Sequence, residues 1–216
     1  MPVSNSRRSF MSALASLTGV AAAHAAPANL AAQASSAPTP GWDLQWIDGL
    51  RGRHKQLYDL GSFNLGADPA PLRYTRNFLD TFRDVYMLES PEVNTLVGVS
   101  GPAFPLNASD RLWAKYKLGE RSKIVDPATM QPAVRNIFLD GSNISIKALQ
   151  ARGTIFWQCN VALGVVAQQL ATSMQIPVAD VRADLVAGLN PGVRLMPSHV
   201  MALALAQERA FTYMKP

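Results

Sequence analysis

Thr154-Ile155-Phe156-Trp157-Gln158-Cys159-Asn160-Val161-Ala162-Leu163-Gly164-Val165-Val166-Ala167-Gln168-Gln169-Leu170 is the stretch that decides the fold. Residues 154–158 form a short β-branched and aromatic run that starts directly after Gly153, which predicts a buried strand. From Val161 to Met174 apolar residues dominate without strict alternation, and a helix is predicted there. Cys159 and Asn160 fall at the junction.

Working outward, the spacing predicts a helix over Ile144–Arg152 stopped by Gly153, a helix over Val178–Leu189, a strand over Val193–Met196, a helix over Val200–Ala210 and a strand over Phe211–Met214. Upstream, His54–Leu60 is read as a first strand. Pro71–Leu88 is a helix carrying Leu72, Phe78, Leu79, Phe82 and Val85 at helical spacing. Asn94–Ser100 is a strand closed by Gly101-Pro102, and Asn107–Tyr116 is a short helix. Strands alternating with helices imply an α/β domain with a parallel sheet covered on both faces. The polar stretch Lys117–Asp140, broken by Gly119, Pro127 and Pro132, is expected to be a long surface loop or insertion.

The first 40 residues have a separate logic. Ser6-Arg7-Arg8-Ser9-Phe10-Met11, then a weakly apolar run to Ala23-His24-Ala25, is similar to a twin-arginine export signal with a cleavage site, so residues 1–25 are expected to be a signal peptide. The run is too short to act as a stable membrane anchor. Residues 26–41 are rich in Ala, Ser and Pro and read as a flexible linker, leaving 42–216 as one domain. The expected destination is the periplasm, an oxidising compartment, yet the chain has one cysteine and cannot form an internal disulfide.

Composition narrows the functions. The formal charge is +5, and losing Arg7 and Arg8 with a leader that holds no acid leaves about +3. The remaining basic residues are scattered, which argues against nucleic acid as a partner. No Gly-rich phosphate loop, no HExxH or CxxC motif and no serine-nucleophile elbow occurs, so hydrolase and nucleotide chemistry is disfavoured. With three His in all and no paired ligand spacing, neither a metal site nor a cofactor is expected.

Cys159 is the leading candidate residue. It ends a predicted strand and precedes a helix N-terminus, where the field favours thiolate over thiol. The competing reading makes it one more small buried apolar residue, and both stand. His199, after Pro197-Ser198, is a weaker candidate as a base or a source of positive charge, with helix capping as the alternative. Asn160 and Gly101 also follow strand ends and are weak candidates for lining the same crevice, or plain turn residues.

The order Ala148-Leu149-Gln150-Ala151-Arg152-Gly153 through Cys159, with the tail Ala206-Gln207-Glu208-Arg209-Ala210-Phe211-Thr212-Tyr213-Met214-Lys215-Pro216, resembles the C-terminal half of DsrE/DsrF-like proteins. Val97-Gly98-Val99-Ser100-Gly101-Pro102-Ala103 resembles that family's earlier strand and turn, and the leader resembles an exported subgroup. The resemblance implies a three-layer sandwich with a mainly parallel sheet of about five strands and a homo-oligomer, trimer or hexamer. It also implies sulfane sulfur carried as a persulfide at the position Cys159 matches. With one cysteine, any persulfide has to pass to an acceptor protein or small thiol. The alternative is a non-catalytic oligomeric binding domain in which Cys159 is packing.

Overall fold

The computed structural model describes residues 41–65 and 69–216; the expected signal peptide and nearly all of the expected linker lie outside the described residues. Five strands form one parallel sheet: β1 (His54–Leu60), β2 (Val93–Val99), β5 (Ile155–Cys159), β6 (Arg194–Met196) and β7 (Thr212–Met214). Their order is β6-β5-β2-β1-β7, and each neighbouring pair runs parallel. Helices cover both faces, so the α/β three-layer sandwich holds.

The sheet interior shows why these segments are strands. All seven residues of β2 are buried, and so are the last five of β1, as expected of strands packed on both faces. Alternate side chains divide between two cores. Tyr58, Val97 and Phe156 point to one face, where they meet α1 (Ala70–Tyr86) and α5 (Asn160–Met174) through Leu72, Leu79, Leu163 and Ala167. Leu57, Leu96, Trp157 and Met196 point to the other, under α7 (His199–Glu208) and a 3-10 turn at Gln45–Gly49. Burying each such large apolar side chain is worth roughly 1.5–3 kcal/mol.

Local chemistry sets the helix limits. Pro71 sits in the first turn of α1, and Met87 closes it in the left-handed region with φ 57°. Ser198 caps α7, its hydroxyl accepting from the Met201 amide. Two more helices join the α1/α5 core, α4 (Ile146–Ala151) through Ile146 and Leu149 and α6 (Val178–Ala187) through Val181 and Leu185. Arg152 ties the end of α4 to Asp80 of α1 at 2.6 Å.

The segment after β2 departs from expectation. Residues 101–107 form a 3-10 helix rather than a simple turn, and the next helix, α2 (Asp110–Tyr116), starts three residues later than the spacing predicts. Lys117–Asp140, mostly exposed, is an excursion with short elements of its own. It contains the short helix α3 (Leu118–Arg121) and a two-stranded hairpin, β3 (Val125–Asp126) with β4 (Gln131–Pro132). Leu118, Ile124, Ala133 and Phe138 enter the core, and buried Asn136 donates to the carbonyls of Leu106 and Ala108 at 2.9 and 2.8 Å. The hairpin strands are two residues each, too short for a periodicity to register.

Candidate functional site

The helices that follow β5 and β6 leave the sheet to opposite faces, α5 to one and α7 to the other. Such a divergence opens a crevice at the carboxyl ends of the two strands, the usual ligand position in open α/β sheets. Cys159 ends β5 at this point, paired in register with Met196 of β6.

Both helix N-termini reach its sulfur. The Ala162 amide of α5 donates to Sγ at 3.3 Å and the His199 amide of α7 donates at 3.2 Å. Helix N-termini carry partial positive charge and unsatisfied N–H groups, so two independent elements aim favourable dipoles at one atom. The side chain is 3% exposed. The same sulfur therefore caps α5 and sits just beneath the surface.

His199 belongs to a different network from the one its sequence position suggests. Trp157 donates from Nε1 to His199 Nδ1 at 3.2 Å, and an indole N–H is a donor only. Nδ1 is therefore the acceptor, the ring proton sits on Nε2, and Nε2 donates to Asp59 Oδ1 at 2.6 Å. Both ring nitrogens are occupied. In this arrangement the imidazole is not a base for Cys159; its backbone, rather than its ring, reaches the sulfur.

Asp59 is the centre of that network and has no counterpart in the sequence reading. It is buried near the end of β1, where Gly61 N–H donates to Oδ1 at 2.7 Å and Tyr213 of β7 donates its hydroxyl to Oδ2 at 2.6 Å. Burial alone would raise its pKa, but the hydrogen bonds from Tyr213, His199 and Gly61 outweigh it and hold the carboxyl below its ordinary value. Donating to that carboxylate pushes the Tyr213 phenol up to about 12. Two glycines make room for the rings: a Cβ on Gly98 would lie 2.5 Å from Trp157, and one on Gly61 would lie 2.9 Å from His199 Nε2.

The remaining candidates separate. Asn160, the first residue of α5, accepts from Arg182 of α6 at 2.6 Å and ties those two helices together. Gly101 turns the chain out of β2 with φ 54° and lines a cleft shared with Ala162, whose amide holds the sulfur. Arg7 and Arg8 lie outside the described residues. Among the described residues no three His, Cys, Asp or Glu side chains cluster in a way that would hold a metal ion.

No protein-family model matches the chain, and neither does any curated protein. Among solved structures, a protein of unknown function from Methanobacterium thermoautotrophicum aligns over 76% of this chain and 99% of its own at 13% identity, with a TM-score of 0.37.

Proposed function

We propose that this protein carries sulfane sulfur on Cys159. The observation that supports the reading is the convergence of two helix N-termini on Sγ, at 3.3 and 3.2 Å, where the strand connections diverge. In the proposed cycle the Cys159 thiolate attacks the outer sulfur of a persulfide or polysulfide. A Cys159–sulfur bond forms, the donor's S–S bond breaks, and the donor leaves as a thiolate or a shorter polysulfide. An acceptor thiolate then takes the outer sulfur and Cys159 leaves as thiolate. No net oxidation occurs, and a second cysteine in the chain is not required.

The resemblance to DsrE/DsrF-like proteins adds a homo-oligomeric assembly, periplasmic export through the twin-arginine machinery and an acceptor protein to the proposal. Val161 and Val200, in the first turns of α5 and α7, are exposed apolar side chains of the kind a partner subunit covers. No described helix is long and apolar enough to cross a membrane.

A second reading rests on the 3% exposure of Cys159: an oligomeric binding domain in which the cysteine packs and caps α5. Exposure of the folded protein to polysulfide, followed by intact-mass measurement, separates the two. A carrier gains one or more sulfur atoms that are lost in Cys159→Ser; packing leaves the mass unchanged.

A further inference from the structure

Leu118, Arg121 and Ser122, at the start of the 117–140 segment, form one wall of a cleft. Opposite it stand α5 residues from Ala162 to Leu170, and residues 101–105 of the turn after β2 complete the lining. The cleft encloses about 470 Å³, within the size range of small-molecule sites.

Its lining has a definite chemistry. Phe104, Leu118, Val165, Val166 and Leu170 make the walls apolar. Arg121 stands among them with no acidic residue in the lining. Its guanidinium is held in place by neutral partners: Nε donates to the Tyr116 carbonyl and Nη2 to Ser173 Oγ, both at 2.9 Å. Among the described residues no ion pair to a carboxylate is formed by Arg121, as also for Arg182, which donates to Asn160. An exposed guanidinium oriented at the edge of an apolar cleft suits a single negative charge on an apolar body.

We infer that this cleft binds a small amphipathic monoanion, an alkyl or aryl carboxylate, with its charged head on Arg121 and its body between α3 and α5. A phosphate-rich ligand would leave the apolar walls unused and meet one cation. A cationic ligand would meet Arg121 with no compensating acid. The inference does not depend on any reactivity of Cys159.

The test uses the full chain and octanoate as the probe, with octanamide and octylamine as uncharged and cationic counterparts, followed by calorimetry and by amide NMR shifts. Octanoate is expected to bind saturably, perturbing the Ala162, Ser122 and Gln169 amides. Octanamide and octylamine should each bind about tenfold or more weaker. Arg121→Gln, at an exposed position, should remove the preference for the acid over the amide, and Val165→Trp should block all binding by filling the cleft; thermal unfolding confirms that each variant is folded. No saturable binding below roughly 10 mM overturns the inference. So does equal affinity for acid and amide in the native protein, or binding that Val165→Trp leaves unchanged.

Discussion

His199 Nε2 lies 2.6 Å from Asp59 Oδ1, joining residues 140 positions apart at the carboxyl end of the sheet. The contact brings together β1 and α7, and through Tyr213 it also fixes β7, whose one strand neighbour among the described residues is β1. One buried carboxylate on β1 thus ties α7 and β7 to it, and Trp157 locks the imidazole from the other side.

Replacing Asp59 by Ala strands the His199 and Tyr213 donors and the Gly61 amide. Removing one partner from a buried hydrogen-bonded set costs on the order of 3 kcal/mol. The expected result is a lower urea midpoint with an unchanged denaturant slope, and a loss close to that for His199→Ala. The double variant should lose less than the sum of the two, since they share one network. Strict additivity would show that the two residues act separately.

Gly98→Ala should be more damaging than a methyl group suggests. Its Cβ would sit 2.5 Å from the Trp157 ring, which is fully buried and cannot move without releasing His199. A cost of about 2 kcal/mol or more is expected, with a changed near-ultraviolet circular dichroism signal from the displaced indole. A variant of native stability and spectrum would show that the ring has room to yield.

Acid should weaken the fold through two aspartates. Asp184 on α6 is partly buried, which alone would raise its pKa, but hydrogen bonds from Lys115, Tyr116 and Arg111 bring it down to about 2. Asp59 is lowered for similar reasons. A carboxylate with a depressed folded-state pKa stabilises fully above its unfolded value near 4, and that contribution is lost as pH falls toward the folded one. For Asp184 this amounts to about 2 kcal/mol between roughly pH 5 and pH 2. Asp184→Asn should flatten stability against pH in that window while leaving the slope above pH 5 unchanged.

Much of the fold can be read along the chain because the central strands β1, β2 and β5 are largely buried and several helices start at Pro or Ser. The β5–α5 junction is the clearest case, and the position of Cys159 between a strand end and a helix start follows from it. The Asp59 network was not legible. A single acid in the apolar run Leu57-Tyr58-Asp59-Leu60 gives no periodic signal, and its partners lie 140 and 154 residues away. His199 was visible as a residue but not in its role, because the Trp157 indole that occupies Nδ1 reads in sequence only as strand hydrophobicity. The folded 117–140 segment escaped for another reason. Its order rests on scattered anchors such as Ile124, Asn136 and Phe138 instead of a repeating pattern.

Export is open to a direct check. Replacing Arg7 and Arg8 by Lys should leave the precursor in the cytoplasm at full length, read by fractionation and immunoblotting. Normal periplasmic delivery of the processed protein would remove the twin-arginine route from the account.

The most direct measurement is intact mass of the folded protein after exposure to polysulfide and then to a small thiol, with alkylation of Cys159 followed over pH. The account predicts a sulfur adduct on native protein, absent in Cys159→Ser and discharged by the thiol, together with alkylation that proceeds without unfolding. An unchanged mass, and labelling of Cys159 only after denaturation, would contradict it and leave the cysteine as the buried cap of α5.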